Sequence, residues 1–289
     1  MRNSARAIVP EPVRGAVARW MYNSSRRWIA PWYAATDPRF RTRRRRLESM
    51  KGEFSGERCV VMGNGPSLNE MDLARFASER VWASNRAYLL FERIEWRPRF
   101  WVAVDRRVVP DIAAELMGVQ ASLPETRFFY PDEFLLDGSL SSLENTYWFR
   151  EIREPDNATR FTLSPPDYVS SVGTVTITAL QLAVHLGFNP IYLIGCDTSY
   201  TVPTTAKHEG GDANRLVSTV DDDPNHFDPS YFGAGRRWHE PHVDRMVEHY
   251  EKALEATRAS GVDVINATVG GNLEVFPRVD YEDVFSARG

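Results

Sequence analysis

Histidine, arginine and tyrosine side chains between residues 200 and 241 are the groups in this sequence best suited to chemistry. The segment contains His226, His239, Arg237 and Tyr200 among prolines, glycines and aspartates, without a clear core pattern. A long stretch with these side chains is typical of an active-site lid. A histidine can take a proton from a hydroxyl near neutral pH, whereas arginine and tyrosine can stabilise a leaving phosphate.

A glycine-rich turn at residues 63–66 is the second chemical feature. The apolar run 59–62 predicts a buried strand, and Gly63 and Gly65 predict a sharp turn in which the backbone can approach a ligand. Ser67, Asn69 or both can cap a helix predicted over 70–79. A strand, a turn and a helix amino terminus together favour phosphate binding. The turn lacks the third glycine of the dinucleotide fingerprint and the lysine of a P-loop.

Polar residues follow each further predicted strand. Asn85 and Arg86 end one strand, Asp105 ends the next, and Asp197 follows the apolar run 190–196. Because the carboxyl ends of parallel strands meet at one sheet edge, these side chains should share one nucleotide site. A helix is predicted over 175–186, and its amino-terminal residue Thr174 should reach the same site. Asp105 could contact a ribose hydroxyl, a base amino group or a metal ion.

The order of these units predicts an α/β fold with a mostly parallel, Rossmann-like sheet, flanking helices and a lid segment. The chain has 289 residues, of which 43% are hydrophobic, enough for one large domain over 57–289 with a lid at about 200–241. A helix over 242–260 and a strand over 262–266 complete the sheet. Both cysteines, Cys59 and Cys196, fall in predicted core strands, which favours reduced thiols and a cytoplasmic protein.

Residues 1–56 are predicted to form a basic, Trp- and Arg-rich arm. Residues 1–51 contain 13 Arg and Lys against 3 Asp and Glu, whereas the remainder contains 22 against 36. Helices are expected over 13–22 and 23–35. Such an arm suits anionic lipid or a partner chain, while the acidic remainder argues against nucleic acid. The start of the chain lacks a signal-peptide core, so a cytoplasmic protein is expected, and the basic arm would allow it to contact the inner face of the membrane.

Six short motifs in this order resemble the DUF115 superfamily, which includes the Maf glycosyltransferases and the 6-hydroxymethylpterin pyrophosphokinases similar to MptE. The resemblance covers about residues 57–285 and extends in fold to the bacterial sialyltransferases of glycosyltransferase family 42. The motifs are the residue runs 63–68, 84–86, 173–182 and 192–197, the single residue Asp105, and the run 266–271.

The sialyltransferase resemblance implies an inverting transfer of a nonulosonic acid, such as sialic acid, from a cytidine monophosphate (CMP) donor. The acceptor would be a glycan or a lipid-linked precursor, and no cofactor or metal would be required. His239 takes the place of the catalytic base, with His226 as its competitor, and Tyr200 or Tyr231 would contact the leaving phosphate. The residues implied at the nucleotide are Asn64, Gly65, Ser67, Asn85, Arg86 and Gly195.

Two other functions stay open at this point. A pyrophosphokinase acting on a pterin alcohol would need Mg²⁺, for which Asp105, Asp197 and the acidic run 221–223 could supply oxygen ligands. A non-catalytic nucleotide-sugar-binding scaffold, tethered by its basic arm, would bind without turnover. A homo-oligomer is compatible with every one of these functions.

Overall fold

A seven-stranded parallel sheet forms the centre of the protein. The computed structural model describes residues 38–152, 161–171, 173–209 and 212–286. The sheet order is β12-β8-β1-β2-β3-β4-β5, and every neighbouring pair is parallel. The strands are β1 Cys59–Met62, β2 Val81–Ser84, β3 Phe100–Val102, β4 Arg127–Pro131, β5 Thr146–Phe149, β8 Ile191–Ile194 and β12 Val264–Asn266. The predicted α/β, Rossmann-like fold is therefore confirmed.

The sheet is buried on both faces, as the continuous apolar strands require. Alternate residues of β1 enter two separate cores: Val60 and Met62 lie in one, Cys59 and Val61 in the other. Both cysteines are buried and unpaired. The chain leaves β1 toward β2 and later returns on its other side through β8. The strand order thus reverses at β1, which is where open α/β sheets form a ligand crevice.

Six α-helices lie in the described ranges. They are α1 Pro38–Glu48, α2 Val108–Ser122, α3 Glu133–Leu136, α4 Val175–His185, α5 Val243–Ala259 and α6 Asp283–Ser286. The expected helices over 175–186 and 242–260 are thus present. The segment between β4 and α4 contributes β5 and the short strand β6 Glu151–Ile152, which pairs with β7 Val169–Ser170. Among the described helices, none is long and apolar enough to cross a bilayer.

The expected helix over 70–79 is wrong. Two short 3₁₀ helices, Pro66–Glu70 and Leu73–Ser78, stand in its place. Between them Met71 adopts an extended conformation, and the Asp72 carboxylate accepts a hydrogen bond from the Ala74 amide at 3.1 Å. This local bond competes with helical continuation, so the chain turns instead of forming a helix. The glycine turn consequently has no α-helix amino terminus behind it.

The lid segment (residues 200–241) contains a sheet of its own. Strands β9 Lys207–Glu209, β10 Asp212–Val217 and β11 Arg237–His239 pair antiparallel in the order β11-β10-β9. Leu216 and Trp238 are buried, and the Trp238 indole donates a 3.0 Å hydrogen bond to Ser218. This part of the lid segment thus has a small packed core, although its sequence shows no clear core pattern.

Helix α1 packs on the domain. Its Leu47 side chain and the following Met50 are buried in the same core as β1, and Arg46 donates to the Thr146 carbonyl at 3.0 Å. Residues 38–56 thus pack with the fold, so the boundary expected at residue 56 lies too late in the chain. The predicted helices over 13–22 and 23–35 lie outside the described residues.

Candidate functional site

A cavity of about 550 Å³ opens at the point where the strand order reverses. The exits of β1, β2, β3 and β8 reach it, as do the α4 amino terminus, the lid segment and the first turns of α5. Predicted site residues on its wall are Gly63, Asn64, Gly65, Asn85, Asp105, Thr174, Gly195, Asp197, Tyr200, His226 and His239. The sequence-based expectation that these strand exits meet at one edge is confirmed.

The two turn glycines are required by neighbouring protein atoms. A Cβ on Gly63 would lie 2.2 Å from the Gly195 carbonyl oxygen, and one on Gly65 would lie 1.7 Å from an Asp197 carboxylate oxygen. The Gly65 amide also donates to the Gly195 carbonyl at 2.9 Å. The glycines therefore let the exits of β1 and β8 approach each other, in addition to lining the cavity.

A Gly65→Ala substitution should destabilise the protein by about 1–3 kcal/mol, because the new methyl group overlaps Asp197. Gly118→Ala is the matched control, since Gly118 is exposed inside α2 and a Cβ there meets no atom within 4 Å. The control should gain roughly 0.5–1 kcal/mol. Urea denaturation measures both changes. A Gly65 variant as stable as the wild type would show that the exits of β1 and β8 can separate at no cost.

Asn64 and Asn85 each present an unpaired acceptor to the cavity. The Asn64 amide nitrogen donates to the Ser84 hydroxyl at 2.9 Å, which ties the exits of β1 and β2 together. The Oδ1 atoms of both asparagines are buried, and neither has a partner among the described residues. Asn85 has a positive φ of 48°, a conformation that asparagine tolerates better than most residues. Two such oxygens can accept hydrogen bonds from ligand hydroxyl or amino groups.

Ser67 does not line the cavity. Its hydroxyl donates to Asp197 at 2.8 Å and its amide donates to the same carboxylate at 3.2 Å. Burial raises the pKa of Asp197, and these two hydrogen bonds oppose the rise only in part. The pair joins the turn after β1 to the exit of β8. Ser67 therefore positions Asp197 and has no geometry for a direct ligand contact.

The side chains of His239 and Asp105 lie close together at the cavity wall. The His239 Nδ1 lies 3.7 Å from an Asp105 carboxylate oxygen, and both side chains are partly exposed. Burial raises the pKa of Asp105, but contact with His239 and hydrogen bonds from the Arg107 and Val108 amides outweigh burial and leave it below its ordinary value. Asp105 is therefore ionised at neutral pH and can orient the imidazole of His239.

His226 lies in an aromatic cluster inside the lid segment. Its ring stacks on Tyr231 with centroids 3.9 Å apart, and Tyr200 and Phe232 meet it edge-on. Its Nδ1 lies 2.7 Å from an Asp223 oxygen. Burial raises the pKa of Tyr200 well above its ordinary value, so this cavity residue stays a neutral phenol. The His226 side chain is therefore packed more tightly within the lid segment than the His239 side chain is.

Arg86 and Arg237 lie outside the cavity. The buried Arg86 guanidinium donates to the Ser230 carbonyl at 2.6 Å and to the Tyr231 carbonyl, and so fastens the lid segment to β2. Arg237 shares a face of β11 with His239 but lies two residues further from the cavity, where it pairs with Asp111. Both arginines are therefore occupied by protein groups, contrary to the expected nucleotide and phosphate contacts.

Sequence reasoning did not assign several residues of the cavity wall. Four of the six histidines line it, and two of these, His242 and His249, were not predicted. His249 faces inward because the buried residues of α5 are His249, Tyr250, Ala253 and Thr257, a helical spacing. The signal available in the sequence was the position of His249 next to Tyr250, on the apolar face of this helix. The other unassigned polar residues are Ser171, Thr176, Thr198, Ser199, Asn225, Glu240 and Arg245.

Carboxylates near the cavity are largely occupied by protein donors. Asp221 accepts from the Ala234 amide, Asp222 from the Thr205 hydroxyl, and Asp223 from the amides of Asn225 and Phe232. These bonds shape the lid segment. In the described part of the chain, no three His, Cys, Asp or Glu side chains are grouped closely enough to hold a metal ion.

The family model described as 6-hydroxymethylpterin diphosphokinase MptE-like matches residues 39–203, more than half of the chain. Two solved structures are similar in fold. One is the MAf glycosyltransferase from Magnetospirillum magneticum AMB-1, with 16% identity, a TM-score of 0.46 and coverage of 84% of this chain but only 38% of the other. No curated protein matches the chain.

The second structure is the sialyltransferase CstII from Campylobacter jejuni, in complex with a substrate analogue, cytidine-5'-monophosphate. It is 13% identical, with a TM-score of 0.40 and coverage of 78% of this chain and 85% of the other.

The family match begins inside α1 and extends through the glycine turn, the exits of β2 and β3, the α4 amino terminus and Asp197. The chain thus belongs to the MptE-like family.

Proposed function

We propose that this protein transfers a sugar, a nonulosonic acid such as sialic acid, from a CMP donor to a hydroxyl group of a glycan or lipid-linked acceptor. The observation that carries the proposal is the His239–Asp105 pair on the wall of a cavity built from strand exits. A cavity of about 550 Å³ is in the range that accommodates small-molecule ligands. The nucleotide would contact the unpaired oxygens of Asn64 and Asn85.

His239 serves as general base in this proposal. Its imidazole removes the proton of the acceptor hydroxyl while the acceptor oxygen attacks the anomeric carbon. The bond from that carbon to the phosphate oxygen breaks, CMP leaves, and the anomeric configuration inverts. The ionised Asp105 stabilises the imidazolium that forms and holds the ring in place.

A diphosphokinase is the second candidate, and the description of the matched family favours it. That reaction would use Mg²⁺ and a nucleoside triphosphate. The three aspartates of the run 221–223 already accept hydrogen bonds within the lid segment, which leaves Asp105 and Asp197 as the cavity aspartates that could approach a cation. Because one or two carboxylates together with substrate phosphates can hold Mg²⁺, the diphosphokinase is tested beside sugar transfer.

A thermal-shift panel of CMP, CDP, UDP, GDP and ATP, each with and without Mg²⁺, tests the two candidates. CMP at about 100 times its dissociation constant should stabilise the protein by about 2.7 kcal/mol. For a domain of this size that is a rise in Tm of roughly 5 °C. The rise should be independent of Mg²⁺. Stabilisation by ATP alone, and only with Mg²⁺, would replace sugar transfer by the diphosphokinase activity. Binding of CMP without any turnover of CMP-sugars would indicate a scaffold.

A further inference from the structure

His249 carries a buried nitrogen without a partner. The residue lies on α5, is 3% exposed and lines the cavity. Its Nδ1 contacts the Arg245 carbonyl oxygen, and since a carbonyl only accepts, Nδ1 must carry a hydrogen. Its Nε2 is buried and has no hydrogen-bond partner among the described residues. Buried polar atoms are nearly always paired, so this nitrogen points to a ligand.

The ring of His249 lies against the amino terminus of α4. A Cβ on Gly173 would be 3.2 Å from the His249 Nδ1, and the residue has a positive φ of 82°, so this close approach favours glycine. Thr174 caps the helix, and within the described ranges the amides of Thr174 and Val175 have no hydrogen-bond acceptor. Helix α4 has 11 residues, long enough for its dipole to favour an anion at this end.

Arg245 adds a positive charge to the same wall. It lies one turn before His249 on α5, is exposed and lines the cavity. In the part of the chain that the structure describes, its guanidinium has no carboxylate partner. Arg236 and Arg237, in contrast, pair with Glu115 and Asp111. Arg245 is thus the arginine placed to meet an anionic ligand in this cavity.

We propose that His249, Arg245 and the α4 amino terminus form the subsite for the phosphate monoester of the donor nucleotide. The proposal rests on the CMP-sugar transfer proposed above and assigns the group that stabilises its leaving phosphate. Nδ1 already donates to a carbonyl, so Nε2 donates to a phosphate oxygen once the imidazole is protonated. The bound phosphate supplies the negative charge that stabilises this imidazolium.

Calorimetric titration with CMP and with cytidine, which lacks the phosphate, tests this subsite. His249→Ala and Arg245→Ala should each weaken CMP binding by about tenfold, the effect of losing a charge-assisted hydrogen bond or a charge. Cytidine binding should change less than twofold. His208→Ala is the matched control, because His208 is exposed on β9 and lies outside the cavity wall; it should bind both ligands as the wild type does.

Equal losses for CMP and cytidine would overturn the proposal, since they would place His249 at the nucleoside. Unchanged CMP affinity in both variants would also overturn it. If His249→Ala unfolds, Arg245→Ala at the exposed position and His249→Gln, which keeps an N–H donor, provide the same comparison. His249→Gln should retain more CMP affinity than His249→Ala.

Calorimetric titrations with inorganic phosphate and with pyrophosphate distinguish an error in the phosphate subsite from an error in the proposed function. If the wild type binds neither CMP nor cytidine but binds pyrophosphate, with a loss in His249→Ala, the subsite stands and the CMP donor is wrong. If CMP binds with the same affinity in every variant, the donor assignment stands and the phosphate subsite is wrong.

Discussion

Replacement of His239 by alanine should reduce sugar transfer by roughly 10²–10⁴-fold, the usual contribution of general-base catalysis. The loss should fall on kcat, because His239 acts on the acceptor proton and does not anchor the nucleotide in the proposed mechanism. The melting temperature should be retained, since the side chain is 43% exposed. Steady-state kinetics with a CMP-sugar donor, together with a melting curve of each variant, measures both quantities.

Two histidine controls sharpen this result. His208→Ala should keep full activity because its side chain is exposed and outside the cavity wall. His226→Ala should lower the melting temperature, since it removes a ring stacked at 3.9 Å on Tyr231. A folded His226→Ala variant that loses turnover, beside an active His239→Ala variant, would move the base to His226. Full turnover in both variants would exclude a lid histidine as base.

Asp105→Asn should lower kcat by roughly 10–100-fold with little change in the KM for the donor, since partners that orient a functional histidine commonly contribute this much. Asparagine keeps an oxygen for the Arg107 and Val108 amides but removes the charge beside His239. A raised donor KM with unchanged kcat would instead indicate that Asp105 contacts the nucleotide. Its position at the end of a strand predicts such a contact. Kinetics over a range of donor concentrations distinguishes the two roles.

Stability at acidic pH gives an independent check on Asp105. Its folded pKa lies below its ordinary value of about 3.9. The carboxylate therefore contributes stability above that pH, and the contribution is lost as the pH falls through the folded pKa. The difference in unfolding free energy between the wild type and Asp105→Asn should close below about pH 4. A difference that persists at lower pH would show that packing, and not charge, accounts for it.

The strand exits could be placed from the sequence because two local signals agree there. A short apolar run followed by a glycine or a polar residue describes β1, β2, β3 and β8, and parallel connections bring their ends to one edge. Asn64, Asn85, Asp105 and Asp197 were located together by this reasoning. The same logic identified Thr174 as the start of α4.

Side-chain partners could not be placed in the same way. Arg86 follows β2 as Asn85 does, yet its guanidinium binds carbonyls of the lid segment more than 140 positions later in the chain. The predicted helix over 70–79 had suitable residue types, but the Asp72 carboxylate accepted a hydrogen bond from the Ala74 amide and interrupted it. Both outcomes depend on competition between hydrogen-bond partners, which residue spacing does not reveal.

The sequence by itself determined the parallel sheet and the edge at which its polar residues gather, because apolar periodicity and turn residues act locally. Tertiary structure alone decided which charges remain available in the cavity. It paired Asp105 with His239, Ser67 with Asp197 and Arg237 with Asp111. It also placed His249 of α5 against Gly173, in the turn that precedes α4. Such pairings depend on distances between segments far apart in the chain, and these are fixed only when the cores on both sheet faces are packed.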